Sequence, residues 1–542
     1  MTHRVMGMET EYAISGRYQN GDSLENSFLT TELILMAAGR LANLPAGGNG
    51  GLFLGNGSRF YIDTGNHPEI STPECLTPWE VVRYITAGDH ILRDLANRLG
   101  KRLGEGFQIE IAKVNVDYSG SGNTWGCHES YSHRIQGRGF FNDLIPHLVS
   151  RIIYTGAGGF NSLAPGLEFT LSPRTHHLVD SISGSSTNGR GIVHTKNEDL
   201  TGGYYNRLHL LCGESLYSQT AAVLKVGTTA LVVALLEHGL ADLSTWHLDE
   251  PLAAMNAFTQ DPTCRATAGL ATDLQVSALE IQHHYLSLIE SELGAEWMPE
   301  WALDICRLWR STLADLDAAP ESVGTSLDWA VKHFFFGKLI REHGFSAEKI
   351  TRWNEFQDRL FQNLDDTGAV IGPHLLGGLL NPTNEDQIFS TQKNTLLSEL
   401  GLEREELTRF LELRRDLFHL DTQFNTVGTD SVFQSLQDAD VLNHEIPGVG
   451  KIAPAMTEAP AGTRARLRGK TIREFCEKEG ENLCGWDFVD DQVKGLQLNL
   501  TDPLIQEEVW EPIRIRRRNR SRLLSRAGRS TDFLELLHSM DL

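Results

Sequence analysis

The sequence predicts a protein of mixed α and β structure, and three observations carry that reading. Two short N-terminal segments alternate polar and apolar residues with the period of a strand. Glycine-rich loops separate further strand-like segments as far as Leu211. From Ser218 to Leu420 the apolar residues recur at helical spacing instead.

The first strand is expected over 5–12 and contains Met6-Gly-Met-Glu9-Thr-Glu11-Tyr12. Strand side chains alternate faces, so Glu9 and Glu11 point one way and Met6, Met8 and Tyr12 the other. The second is expected over 59–63, with Arg59, Tyr61 and Asp63 on one face and Phe60 and Ile62 opposite. Side by side in a sheet, these strands would gather three carboxylates and an arginine on one wall. Hard cations take oxygen ligands, and Mg²⁺ is usually shared with phosphates, so such a wall suits Mg²⁺ and a nucleoside triphosphate. The turn Gly65-Asn-His-Pro68 would swing Glu69 round to the pocket of Asp63, and Ser71 and Thr72 follow with hydroxyls. Further strands are expected over 108–117, 128–135 and 206–211.

The helical part contains the most apolar stretch, Ala230-Leu-Val-Val-Ala-Leu-Leu236, which reads as a buried helix too short to span a bilayer. Leu407, Phe410, Leu411, Leu417 and Phe418 mark another helix. Breakers interrupt the pattern over 372–382. The loop Ile446-Pro-Gly-Val-Gly450 is expected to separate a domain 1–445 from a smaller C-terminal domain 446–542. The latter carries eight arginines between Arg514 and Arg529. These read either as a solvated helix face or as a docking surface for an acidic partner.

The chain has 542 residues and a net charge of -23, from 48 basic and 71 acidic residues. So acidic a balance argues against a general nucleic-acid binder. Seven scattered cysteines without a C-x-x-C pair argue against a disulfide framework or zinc site and fit a reducing cytoplasm. The N-terminus lacks the layout of a signal peptide, so no membrane association is expected.

Met6–Tyr12, Tyr61-Ile-Asp-Thr-Gly-Asn-His-Pro-Glu69, Thr72-Pro-Glu-Cys75, Gly126-Cys-His-Glu129, Arg207-Leu-His209 and Thr463-Arg-Ala-Arg-Leu-Arg-Gly469 resemble, in this order, the Pup ligase and Pup deamidase (depupylase) family. The resemblance implies an α+β fold like that of glutamine synthetase: a curved, mostly antiparallel sheet backed by helices, with a small C-terminal domain. It implies ATP and Mg²⁺ as cofactors, Pup or a Pup-like modifier as one partner and lysine-bearing acceptor proteins as the other. In that family's ligases, ATP phosphorylates the γ-carboxylate of a C-terminal glutamate, and a lysine amine then forms an isopeptide bond. By resemblance Glu9, Tyr61 and Glu69 surround Mg²⁺, and Glu11 is a further candidate on the same face. Arg59, Thr72 and Trp486 contact the nucleotide, and Arg207 is a candidate phosphate contact. Asp63 matches the base that deprotonates the lysine.

Other candidates have blander readings beside them. His128 and Glu129 either line the site or are satisfied structural groups, and His209 shares a strand face with Arg207. Lys225 is expected to snorkel from an apolar helix. Cys75 and Cys127 are expected to pack as small hydrophobes, Cys127 having only His128 near it in sequence. The short glycine-rich link before Asn56, and cysteines in both the Thr72 and Gly126 motifs, lean toward the ligase branch. A helical insert of about 343–415, and Gln219 in a position where the family tends to carry glutamate, depart from the pattern. They leave open a deamidase, a carboxylate–amine ligase acting on another peptide or small molecule, and a silent ATP-binding regulator. A long apolar groove lined with arginines and leading to Asp63 would favour an acidic peptide partner that folds on binding, and a closed pocket a metabolite.

Overall fold

β1 (Met6–Glu11) is the middle strand of a nine-stranded sheet. After Tyr12 the chain leaves it as β2 (Ala13–Arg17), then forms helix α1 (Asn26–Arg40). It returns to the sheet as β3 (Asn43–Pro45), β4 (Leu52–Leu54), β5 (Arg59–Ile62) and β6 (Pro68–Ser71). The long helix α2 (Pro78–Leu103) follows, begun by Thr77, whose hydroxyl accepts from the Glu80 amide. Next come β7 (Gln108–Ala112), which pairs with β2, then β8 (Cys127–His133) and helices α3 (Phe140–Ser150) and α4 (Ile152–Thr155). A small pair, β9 (Gly159–Phe160) and β10 (Phe169–Thr170), precedes β11 (Asp180–Ser183), β12 (Gly191–His194) and β13 (Asn206–Leu210). The computed structural model describes residues 4–47, 50–186, 189–196, 201, 203–240, 243–362, 387–428, 431–443, 445–478 and 481–513. The breakers over 372–382, the arginines from Arg514 onward, and Asn197 and Glu198 lie outside the described residues.

The large sheet runs β11-β12-β13-β8-β1-β6-β5-β4-β3. Among the described strands of this sheet only β11 and β12 pair in parallel, so the expected α+β class with a mostly antiparallel sheet holds. One expectation about it fails, because β1 and β5 are not neighbours. β6 lies between them, since the turn after β5 is tight. The Asp63 amide donates to the His67 carbonyl at 3.0 Å, with Gly65 and Asn66 both at positive φ. The next four residues therefore fold straight back as a hairpin partner and take the place beside β5. The strand expected over 108–117 stops at Ala112, because the Lys113 amide turns to donate to the Asn425 carbonyl.

Helices cover one face of the sheet. Met6, Met8, Cys127, Tyr131 and Leu208 on that face share a core with α2, α3 and α5 (Gln219–His238). α5 contains the apolar run and corrects the expected length. Its 20 residues are long and apolar enough to cross a membrane by length and composition, yet 89% of its most apolar window is buried inside the molecule. Lys225 on α5 does not snorkel. It is 1% exposed, and its ammonium donates to the Glu214 carbonyl at 2.7 Å and approaches Cys127 Sγ at 3.5 Å.

The insert of about 343–415 is mainly helical where described, over Ala347–Gln362, Gln387–Glu399 and the first half of Arg404–Asn425, a helix that continues past it. Trp353, Phe356, Phe410 and Leu413 pack it into a second apolar cluster that it shares with Phe160, Leu167, Val331 and Phe336. The C-terminal part joins helix Arg464–Phe475 to three strands, Phe488–Asp491, Leu496–Asn499 and Trp510–Pro512. Its apolar cluster includes Leu44 of β3 and Phe53 of β4, which fixes it at that edge of the large sheet.

Candidate active site

The face of the sheet away from the helices is polar, and the strand register shows why. Residues directly opposite one another share a face. Glu11, Glu69 and Tyr61 stand in one row across β1, β6 and β5. His128, Glu9, Ser71 and Arg59 form the next row across β8, β1, β6 and β5. His194, His209, Ser130 and Gly7 form a third. The expected wall thus exists, built across β6 and including Glu69. Glu129 is not part of it. Alternation sends it to the other face, fully buried against the Arg151 guanidinium at 2.5 Å.

A cavity of about 580 Å³ opens over this face. Glu9, Arg59, Tyr61, Asp63, Glu69, Thr72, Arg207 and Trp486 all line it, so eight of the nine expected site residues meet in one place. Glu11 stands in the wall beside them. It is an open cleft, with Arg59, Arg207, Arg464 and Lys196 around it, and not a closed pocket.

Each carboxylate in the wall has a different electrostatic situation. Burial would raise the Glu9 carboxyl, but the Arg207 guanidinium at 3.0 Å, with His128 and His209, holds it well below the usual range. Burial opposes ionisation of Glu11 too, and a hydrogen bond to His67 Nδ1 at 2.8 Å with the charges of His128 and Arg174 lowers it. Glu69 is 3% exposed, and no lysine, arginine or histidine among the described residues forms an ion pair with it. Burial and the charges of Glu9, Glu11 and Asp63 push it well above the usual range. Burial and Glu11 also raise Asp63. Burial with Glu9 and Glu69 raises the Tyr61 phenol.

Glu69, buried among Glu9, Glu11 and Asp63, fits a divalent ion, whose charge reverses this repulsion. Glu11, Glu69 and Tyr61 offer hard oxygen donors in one row. Glu9, His128 and His209 place three ligand atoms within 4.8 Å of one another. His209 is 8% exposed, and neither ring nitrogen has a hydrogen-bond partner among the described residues. Glycine is required close by: a Cβ on Gly126 would lie 2.5 Å from His128 Nε2 and 2.7 Å from Glu11 Oε1.

The remaining candidates are held by neighbours the sequence does not reveal. Thr72 Oγ1 accepts from the Met8 amide at 3.0 Å, which leaves its own O–H free to donate. The Arg59 guanidinium stacks 4.3 Å from the Tyr61 ring and donates to the Gly50 carbonyl. Trp486 packs edge-on to Phe53, with the Arg468 guanidinium 4.9 Å from its ring. Arg468 and Arg464 in turn clasp Glu74, all three buried, with Arg464 Nε 2.6 Å from Glu74 Oε1. Cys75 and Cys127 are buried, as expected, and burial raises the Cys75 thiol far out of the reactive range. Gln219 lies outside the cleft and accepts from the Ile446 amide at 3.1 Å.

The Pup-ligase protein family model matches residues 4–367, which carry the whole wall and Asp63. The chain belongs to this family. A Pup–protein ligase of Arthrobacter sp. (strain FB24) is 33% identical over 360 residues, covering 64% of this chain and 76% of that protein. One from Sanguibacter keddieii is 30% identical over 459 residues, covering 81% and 98%. Among solved structures, the complex of the prokaryotic ubiquitin-like protein Pup with its ligase PafA superposes with a TM-score of 0.71 at 22% identity, over 93% of this chain and 90% of that one. PafA in complex with ADP gives 0.64 at 22% identity, over 89% and 91%. The family fold therefore extends past the matched segment.

Of the residues the motifs left unassigned, Ser130 was legible. Alternation from His128 puts it on the polar face, where its hydroxyl accepts from Arg207. Arg174 was not, because its charge acts on Glu11 from a short 3₁₀ turn with no pattern to mark it, while its guanidinium donates to the Trp125 carbonyl.

Proposed function

We propose that this protein is an ATP- and Mg²⁺-dependent carboxylate–amine ligase that joins the C-terminal glutamate of Pup, or a Pup-like modifier, to lysines of acceptor proteins. The observation that carries the reading is the register row Glu11–Glu69–Tyr61 beside Glu9, facing a cleft that also holds Asp63, Arg59 and Arg207. Family membership and the ligase names of the relatives support it.

In this reading Glu9, Glu11, Tyr61 and Glu69 hold Mg²⁺, with His128 and His209 as further ligands beside Glu9. Bound there, the metal neutralises the triphosphate during phosphoryl transfer. Arg59, the Thr72 hydroxyl and Trp486 hold the nucleotide. Arg207, already positioned by Glu9 and Ser130, reaches a phosphate. The modifier's γ-carboxylate is activated by phosphorylation, because a carboxylate alone is a poor electrophile. The acceptor lysine arrives as an ammonium, with an ordinary pKa of about 10.4. Asp63 takes its proton. Burial of the Asp63 carboxyl favours its protonated form, which is the direction that taking up a proton requires. The open, arginine-bearing cleft favours a peptide over a metabolite.

The reading places the reaction in residues 1–445, with 446–542 as a smaller domain that supplies Trp486. It also places the protein in the cytoplasm, consistent with seven free cysteines.

Purified protein is mixed with Mg·ATP, glutamate-ended Pup and a lysine-bearing acceptor, and intact masses are read alongside ADP release. A covalent adduct with ADP is expected. Hydrolysis of a glutamine-ended Pup or of an existing conjugate, without any adduct, would instead make the chain a deamidase.

A further inference from the structure

Asp63 follows directly on β5 and begins a turn whose middle residues, Thr64, Gly65 and Asn66, are exposed. Among the described residues no other side chain hydrogen-bonds the Asp63 carboxylate, so the turn sets where it stands. Two backbone bonds close that turn. The Asp63 amide donates to the His67 carbonyl at 3.0 Å, and the Asn66 amide donates to the Asp63 carbonyl at 3.1 Å. The Thr30 hydroxyl on α1 donates to the Asn66 carbonyl at 2.9 Å. These bonds shape the turn and tie it to α1, but none of them ties it to the row of carboxylates.

The His67 side chain makes that connection. Its Nδ1 lies 2.8 Å from Glu11 Oε2. Glu11 favours its ionised form, so the oxygen accepts and Nδ1–H donates. The Trp125 indole stacks on the imidazole, with centroids 5.1 Å apart and planes 27° from parallel. Trp125 is itself held at both ends of its backbone. Its amide donates to the Asn115 carbonyl at 3.2 Å, and its carbonyl accepts from buried Arg174 at 2.9 Å. The stack therefore fixes the plane of the imidazole, and Glu11 fixes its rotation in that plane. Gly65 closes in on the same ring. It has φ of 86°, and a Cβ there would lie 3.0 Å from His67 Nε2. The bond also divides Glu11 between two tasks. Oε2 is occupied by His67, and Oε1 has no hydrogen-bond partner among the described residues.

We propose that His67 is a positioning residue, which fixes Asp63 against the wall through its bond to Glu11 and its stack on Trp125. The proposal rests on the ligase reading of the cleft. It assigns His67 to removal of the lysine proton and not to activation of the modifier's carboxylate. Without this anchor the exposed turn drifts, and a misplacement of about 1 Å costs on the order of 10²-fold in rate.

The test uses the full chain and two variants. His67→Phe keeps a ring for Trp125 and loses the donor, whereas His67→Asn keeps an N–H near the place of Nδ1. With Mg·ATP and glutamate-ended Pup, Nα-acetyl-lysine methylamide is compared with neutral hydroxylamine, which arrives unprotonated and needs no base. In His67→Phe the kcat for the lysine derivative should fall about 10- to 100-fold, with its KM and the rate of hydroxamate formation within about threefold of wild type. His67→Asn should recover most of that loss. In Asp63→Asn, which already lacks the base, adding His67→Phe should cost no further lysine coupling, whereas a merely structural defect would add its own cost. An unchanged lysine kcat in His67→Phe overturns the proposal, and so do additive losses in the double variant. A parallel loss of hydroxamate also overturns it and gives His67 to metal binding. A second measurement needs no turnover. Amide exchange over 63–67 should quicken at least about tenfold in His67→Phe, with β1 and α2 unchanged. Wild-type protection of that turn overturns the proposal whatever the rates. A wild type that forms neither product sinks the ligase reading instead, and the exchange still decides whether His67 holds the turn.

Discussion

Glu69 and Glu74 are five residues apart, both buried, and electrostatically opposite. Glu74 is clasped by Arg464 and Arg468, which more than offset burial and bring its carboxyl down to about 2. Glu69 faces Glu9, Glu11 and Asp63, and its carboxyl rises. One glutamate has its cations built in and joins the C-terminal helix to the sheet. The other lies among like charges that the fold does not neutralise. A protein keeps buried carboxylates in that second condition where a ligand supplies the missing charge. The contrast predicts that substitutions in the wall act on turnover and those in the clasp act on stability.

Asp63→Asn should give the largest effect. Loss of a positioned base lowers rates by about 10²–10⁴-fold, so isopeptide formation should fall by that factor while nucleotide binding and the thermal midpoint stay put. Coupling at the wild-type rate would remove Asp63 from its role.

Glu74→Ala should act in the other way. It leaves two buried guanidinium groups without their anion, a defect that costs roughly 3–5 kcal/mol. Urea unfolding should show that loss. Arg468 also packs over Trp486, so nucleotide affinity should weaken at temperatures where the variant is still folded. A variant as stable as the wild type would show that the clasp holds nothing together.

The same ion group sets a pH dependence. The Glu74 carboxyl is depressed on folding, from an ordinary 4.5 to about 2. The stability it contributes is therefore full above the unfolded value and lost as pH falls through the folded one. At 1.36 kcal/mol per unit this amounts to about 3 kcal/mol, lost between roughly pH 4.5 and 2. The difference in unfolding free energy between wild type and Glu74→Gln should shrink across that window. A constant difference would mean that the arginines do not hold the charged form.

Much of the wall was legible in the sequence because strand alternation is a local rule. It placed Glu9 with Glu11 and Arg59 with Tyr61 and Asp63, and each pairing holds. The turn over 65–68 brought Glu69 and the Thr72 hydroxyl toward the cleft, and family resemblance added Trp486, which no local pattern would have brought there. Strand order was not legible, because which strands neighbour one another depends on how tightly the turn at 63–67 closes. Nor was the fate of Lys225, since a lysine on an apolar helix can snorkel or be buried, and only the Glu214 carbonyl decides. The partners of Glu74 lie about 390 residues away, at Arg464 and Arg468. The arginines were noticed as a motif, but nothing local joins them to Glu74.

Glu69→Gln should give the smallest change in stability and is the sharpest test of the contrast. Glutamine keeps the shape and removes a charge that the neighbouring carboxylates oppose. Without ligand, the unfolding midpoint should therefore hold or rise slightly, where the equivalent change at Glu74 lowers it. With Mg·ATP the order reverses. Loss of one ligand oxygen should weaken binding by tenfold or more, and each tenfold removes about 1.4 kcal/mol of ligand-induced stabilisation. Thermal shifts with and without Mg·ATP read both effects in one experiment. If Glu69→Gln destabilises the free protein as Glu74→Gln does, Glu69 has an unseen structural partner and the wall is not waiting for a cation. If it leaves the Mg·ATP shift intact, the metal is held by Glu9 and its histidines without Glu69.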